Sequence, residues 1–267
     1  MRVSRAAAVR AARRTTISAA LVALVLAALA TAASAATYTA LGDSYSSGVG
    51  TRSFYNDGTE CKRSPLAYPA KVAADKKLTL TFASCSGAKT GDVLSKQLGS
   101  LNSSTAYVTI SIGGNDAGFS NVITECALPW PWTCWGGIEK AETYMRNTLP
   151  GLLDNVYNQI HAKAPAAEVI VVGYPRLFNG VECNGLARIS KGEQERLNQA
   201  ADVMAGVISA RANAHAFKFV DPRTAFSSHE ICSSSEWLNG LSNPVSESYH
   251  PNVSGQQDYT NEVEAKL

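Results

Sequence analysis

The sequence predicts an α/β fold, a parallel sheet with helices on both faces. Five β-prone runs, at 37–41, 78–83, 106–112, 168–173 and 216–221, recur with helical segments between them, which is the alternation βα units require. Val108-Thr109-Ile110-Ser111-Ile112 and Val169-Ile170-Val171-Val172 are rich in β-branched residues, as central strands of such a sheet are. Apolar residues at steps of three and four mark the helices that follow the third and fourth runs.

Residues 1–35 stand outside that fold. Arg2, Arg5, Arg10, Arg13 and Arg14 precede an apolar Ala/Leu/Val run at 17–33, and Ala33-Ser34-Ala35 offers an A-x-A cleavage site, so this stretch reads as a cleaved export signal. The run is alanine-rich and no positive stop-transfer cluster follows it, which argues against a membrane anchor. The Arg13-Arg14 pair leaves the general and twin-arginine routes both open. Residues 36–267 then form one domain of comfortable size for a full core, with no linker evident. The five leader arginines account for more than the whole formal charge of +2, so the mature chain carries about −3. Nothing in it resembles the electrostatic footprint of a nucleic-acid binder or a polybasic membrane patch.

In chain order, Tyr38-Thr39-Ala40-Leu41 forms the first β-prone run and Gly42 ends it with a residue that tolerates a tight turn. The stretch after Asp43-Ser44 is small and polar, poor material for another core strand. Ser44 thereby falls at the C-terminal tip of a strand, the edge where open α/β sheets place their ligands. The third run is followed by Ile138, Ala141, Met145, Leu149, Leu152, Val156 and Ile160, an amphipathic helical stretch in which Pro150 predicts a break and opens the second piece. Leu197, Ala201, Met204 and Ile208 define a helix before the last run. Both stripes read as core packing rather than a cofactor site.

Four short stretches lie at or beyond strand ends: Gly42-Asp43-Ser44, Ser84-Cys85-Ser86-Gly87, Gly113-Gly114-Asn115-Asp116 and His250-Pro251-Asn252. Each alone reads as a turn or a helix cap. Together, in this order on one sheet edge, they resemble the ordered blocks of the SGNH hydrolases, the GDSL esterase and lipase family, and in particular its secreted streptomycete lipases and phospholipases A. The resemblance covers essentially all of the mature chain and implies a three-layer α/β/α sandwich with a five-stranded, flavodoxin-like parallel sheet. It implies a secreted, extracellular ester hydrolase of lipase or phospholipase A type. A carbohydrate O-acetylesterase or short-chain esterase is the alternative, and a catalytically silent binding module the non-enzymatic one.

Carried over residue by residue, Ser44 matches the nucleophile, His250 the general base, and the Ser44 and Gly87 backbone N–H groups with the Asn115 side chain the oxyanion hole. The family's aspartate three residues before the histidine is replaced here by Glu247. The imidazole is then oriented either by that carboxylate or, as the resemblance favours, by the backbone carbonyl of Ser248. Asp43 and Asp116 read as turn or cap residues, and His161, His215 and His229 as surface or structural. No metal and no cofactor are expected, and the substrate is a lipid or other ester.

Six cysteines in an exported chain point to disulfides, and no pair is close enough in sequence for a zinc knuckle. Sequence alone does not choose their pairing; the resemblance implies Cys61–Cys85, Cys126–Cys134 and Cys183–Cys232, all on the catalytic side. Trp130, Trp132 and Trp135 crowd one loop beside Cys134. They form either an acyl-chain wall or lipid-surface contact, or a small local core around the bridge. The chain is expected to act as a monomer.

Overall fold

In the computed structural model, which describes residues 35–128, 131–183, 185–186 and 189–267, five strands form one parallel sheet. The strands are β1 (Thr37–Gly42), β2 (Thr79–Phe82), β3 (Tyr107–Ser111), β4 (Glu168–Val172) and β5 (Lys218–Val220), in the order 2-1-3-4-5. Each falls within or one residue beyond its predicted run; the last is shortest because only Lys218 to Val220 find partners on β4. The leader at 1–34 and Trp130 lie outside the described residues.

The helices are α1 (Ser44–Ser47), α2 (Tyr68–Asp75), α3 (Phe119–Cys126), α4 (Trp135–Asn147), α5 (Leu149–Lys163), α6 (Lys191–Ala214) and α7 (Val253–Glu264), with irregular helical turns over 90–100. α2 packs with α7 in one layer; α4, α5 and α6 pack together in the other. The break predicted at Pro150 falls at Thr148, and Pro150 stands in the first turn of α5, where its missing N–H costs nothing.

The central strands β3 and β4 are buried on both faces, which is why they read as continuous apolar or β-branched runs. One face carries Tyr38, whose hydroxyl pairs with Thr109 Oγ1 at 2.7 Å, under Tyr68 of α2 and Tyr259 of α7. The Tyr259 hydroxyl donates to the Gly173 carbonyl at 2.9 Å. These large side chains bury ring area while their polar ends are satisfied. In this strand order the chain leaves β1 and β3 toward opposite sides, and the crevice opens beyond their C-terminal ends.

Candidate active site

The tip of β1 is held by backbone. Gly42 has φ +118°, and a Cβ there would lie 2.4 Å from the Ser111 carbonyl oxygen, so only glycine permits this approach of β1 to β3. The Gln97 side chain accepts from the Gly42 N–H at 2.7 Å and donates to its carbonyl at 2.9 Å. Asp43 donates its N–H to Ser111 at 3.0 Å, and its carboxylate caps α1 by accepting from the Tyr45 N–H at 2.9 Å. Ser44, the first residue of α1, thus stands in the crevice between β1 and β3.

His250 reaches it from the loop before α7, whose N-cap is Asn252. Ser44 Oγ lies 2.7 Å from His250 Nε2, and His250 Nδ1 lies 2.7 Å from the Ser248 carbonyl. A carbonyl can only accept, so Nδ1 carries the proton and Nε2 is left to accept from the serine. Burial pushes the imidazole down to about 4, opposed by the hydrogen bond to Ser248. The Glu247 carboxylate turns the other way, to Arg52 Nε at 3.1 Å. The Ser248 carbonyl, rather than this carboxylate, is therefore the group on the ring.

Gly87 and Asn115 line the same pocket as Ser44 and His250. Gly87 has φ +78° with open space where a Cβ would be, so conformation rather than crowding asks for glycine. Asn115 Nδ2 donates to the Ala88 carbonyl at 3.0 Å, which fixes the amide and leaves its second hydrogen for the pocket. Asp116 accepts from Thr90 Oγ1 at 2.6 Å and from the Thr90 N–H, a structural tie between the loop after β3 and the turns at 90–100 rather than a cap on its own helix.

The sequence reading did not single out the tyrosines around this centre. Tyr174 donates its hydroxyl to Asp43 Oδ2 at 2.5 Å and accepts from the Gly114 N–H at 3.2 Å, joining the loops after β1, β3 and β4. Burial pushes the Asp43 carboxyl up to about 7 against the pull of Tyr174 and the Tyr45 N–H. Tyr45 stacks edge-on against Tyr174 and donates to the carbonyl of Tyr249, a residue held at φ +61° immediately before the histidine. Gly173-Tyr174-Pro175 does end a predicted strand like the other blocks, and that was the available signal.

From Ser44 a cavity of about 360 Å³ runs between α3, α4 and α6, lined by Val122, Ile123, Ile138, Met145, Leu197 and Met204. The stripes on α4 and α6 thus serve two purposes, core and cavity wall. The structure joins Cys61 to Cys85, Cys126 to Cys134 and Cys183 to Cys232. The second bridge links the end of α3 to the start of α4, two walls of the cavity. Trp132 and Trp135 are 66% and 44% exposed and are not among the residues lining it, so these two rings do not wall the cavity. His215 lies 2.9 Å from Asp154 and His229 stacks on Trp237, both away from Ser44.

Residues 40–257 match the GDSL-like lipase/acylhydrolase family. The chain is 50% identical over 222 residues to Lipase 1 of Streptomyces coelicolor, covering 82% of each. It is 46% identical over 259 residues to a lipase of Streptomyces rimosus, covering 96% of each. Among solved structures it is similar to phospholipase A1 from Streptomyces albidoflavus, with a TM-score of 0.83 and 45% identity over 88% of this chain and 100% of that one.

Proposed function

The chain belongs to the GDSL-like lipase/acylhydrolase family and is a carboxylic ester hydrolase, and on that premise we propose that it is an exported serine lipase or phospholipase A that releases fatty acids through an acyl-enzyme. Neutral His250 takes the Ser44 proton as Oγ attacks the ester carbonyl, then returns it to the leaving alcohol; water repeats the sequence to free the acid. The oxyanion is met by the Ser44 and Gly87 N–H groups and the Asn115 amide. The Ser248 carbonyl keeps the proton on Nδ1 throughout, and the depressed imidazole pKa keeps the base form available well below neutrality.

The observation that carries the lipid assignment is the apolar cavity that begins at Ser44. An acetyl group needs only a shallow recess, whereas a fatty acyl chain needs a long apolar site to leave water. Nitrophenyl esters from acetyl to palmitoyl, with fatty-acid release from a diacyl phospholipid and Ser44→Ala as control, test the reading. Activity should rise toward medium or long chains and vanish in the control. Turnover confined to acetyl and propionyl esters would replace it with a deacetylase. A fluorophosphonate that leaves folded protein unlabelled at Ser44 would instead indicate a binding module.

Export is part of the same proposal. Three disulfides suit an oxidising compartment, and among the described residues no helix is long and apolar enough to cross a membrane. N-terminal sequencing of protein from the culture medium should begin at Ala36. We propose a monomer that meets its lipid surface transiently, with the exposed rings of Trp132 and Trp135 suited to that contact.

A further inference from the structure

We propose that Lys62 forms a leaving-group subsite for the phosphodiester of a glycerophospholipid. The inference rests on the lipid-ester reading above and adds the class of alcohol released. In that reaction His250 Nε2 must protonate the leaving oxygen, so the alcohol departs on the His250 side while the acyl chain occupies the cavity between α3, α4 and α6. Lys62 stands on that side. Its Nζ donates to Ser246 Oγ at 2.9 Å, and Ser246 lines the pocket beside Ser248 and His250.

The backbone around Lys62 is fastened to the opposite rim as well. Cys61 is bridged to Cys85, and its carbonyl accepts from the Ser86 N–H at 3.0 Å, with Ser86 and Gly87 lining the pocket. The lysine therefore joins the loop that carries the base to the loop that carries an oxyanion donor. It is close enough to the reacting centre for its charge to bear on the imidazole.

Its neighbours show why this charge differs from an ordinary surface lysine. Arg52 is answered by Glu247 at 3.1 Å and Arg63 by Asp57 at 2.8 Å. Among the described residues no carboxylate lies within ion-pair distance of Lys62, whose side chain meets the neutral hydroxyl of Ser246. An ammonium has three donors, so two remain beyond that bond. The ligand that completes it is an anion attached to the alcohol of a lipid ester. A phosphodiester on glycerol supplies that charge a few bonds from the ester oxygen, and a lysine meets it as a point charge.

The test compares kcat/KM for a diacyl phosphatidylcholine with that for the diacylglycerol of the same chains, in one neutral mixed micelle. It is run at about pH 8, where the imidazole is neutral with or without the lysine. Lys62→Gln is expected to lower the phospholipid-to-diacylglycerol ratio about fivefold to tenfold, the range of a partly solvated charge-assisted contact, and Lys62→Arg to retain most of it. An unchanged ratio in Lys62→Gln overturns the inference, as does wild-type enzyme that cleaves diacylglycerol but not phospholipid. Either result leaves the ester-hydrolase reading intact. Wild-type enzyme that cleaves neither long-chain lipid, while still cleaving acetyl esters, is the separate outcome that removes the lipid-ester reading beneath it and leaves ester hydrolysis standing.

Discussion

Ser44 and His250 face each other across 2.7 Å, yet the two halves of the pocket are held by different means. Ser44 stands two residues past the end of a central strand, and its turn is fixed by the β1–β3 approach at Gly42 and the cap at Asp43. His250 ends a long, mostly irregular stretch after β5. It is fixed by bonds between side chains and backbone: Asn239 Nδ2 to the Gly50 carbonyl at 2.8 Å, the Tyr249 N–H to the Asn239 carbonyl at 2.9 Å, and Tyr45 to the Tyr249 carbonyl. The nucleophile half is thus a property of the sheet, and the base half a property of a hydrogen-bond network. The second should be easier to dislodge without unfolding the protein.

The sharpest break removes either partner outright. Ser44→Ala and His250→Ala should each lower kcat on the order of 10⁴-fold or more, and the double variant should be no worse than either alone, because the two act as one unit. Steady-state kinetics on a medium-chain nitrophenyl ester would check this; additive losses would mean that the two residues act separately. Asn115→Ala comes next. Its amide is anchored on Ala88 and belongs to the nucleophile half, so the expected loss is roughly 10² to 10³ in kcat with KM little changed. An unchanged rate would remove it from the oxyanion site.

Tyr45→Phe tests the other half. It strips the donor from the buried Tyr249 carbonyl and so costs about 1 to 3 kcal/mol wherever that carbonyl stays unpaired. Tyr249 already sits at φ +61°, an unfavourable conformation for a non-glycine residue that the surroundings must hold. We expect kcat to fall more than KM rises, with a modest drop in the thermal midpoint. A lowered midpoint with kinetics untouched would mean the bond serves the fold alone.

The same contrast explains what could be read in the chain. The strands were legible because burial on both faces leaves runs such as Val169-Ile170-Val171-Val172, and the nucleophile turn because Gly42-Asp43-Ser44 is a local arrangement. The side chains that clamp the two halves from a distance were not legible. Tyr45, Tyr174 and Gln97 lie far in sequence from the atoms they hold, and a tyrosine that clamps a carbonyl reads like one that fills a core. The cavity was equally hidden, because the α4 and α6 stripes have the period of ordinary packing whether or not a void separates them. Glu247 marks a similar limit: its spacing from the histidine suggested a third catalytic partner, while its side chain belongs to Arg52.

Glu247→Gln is accordingly the smallest predicted effect and the one that separates a dyad from a triad. A carboxylate on the imidazole would stabilise its charged form and raise its pKa, whereas here burial dominates and the ring sits near 4 with a neutral carbonyl as its acceptor. The acid limb of kcat/KM should therefore fall with an apparent pKa of about 4 in the wild type and remain there in the variant. Turnover at neutral pH should stay within about twofold, since the carboxylate lies on Arg52 rather than on the imidazole. A loss of several orders of magnitude would mean that Glu247 swings onto His250 in the working enzyme. The base half of the pocket would then depend on a charge that the resting geometry assigns to Arg52.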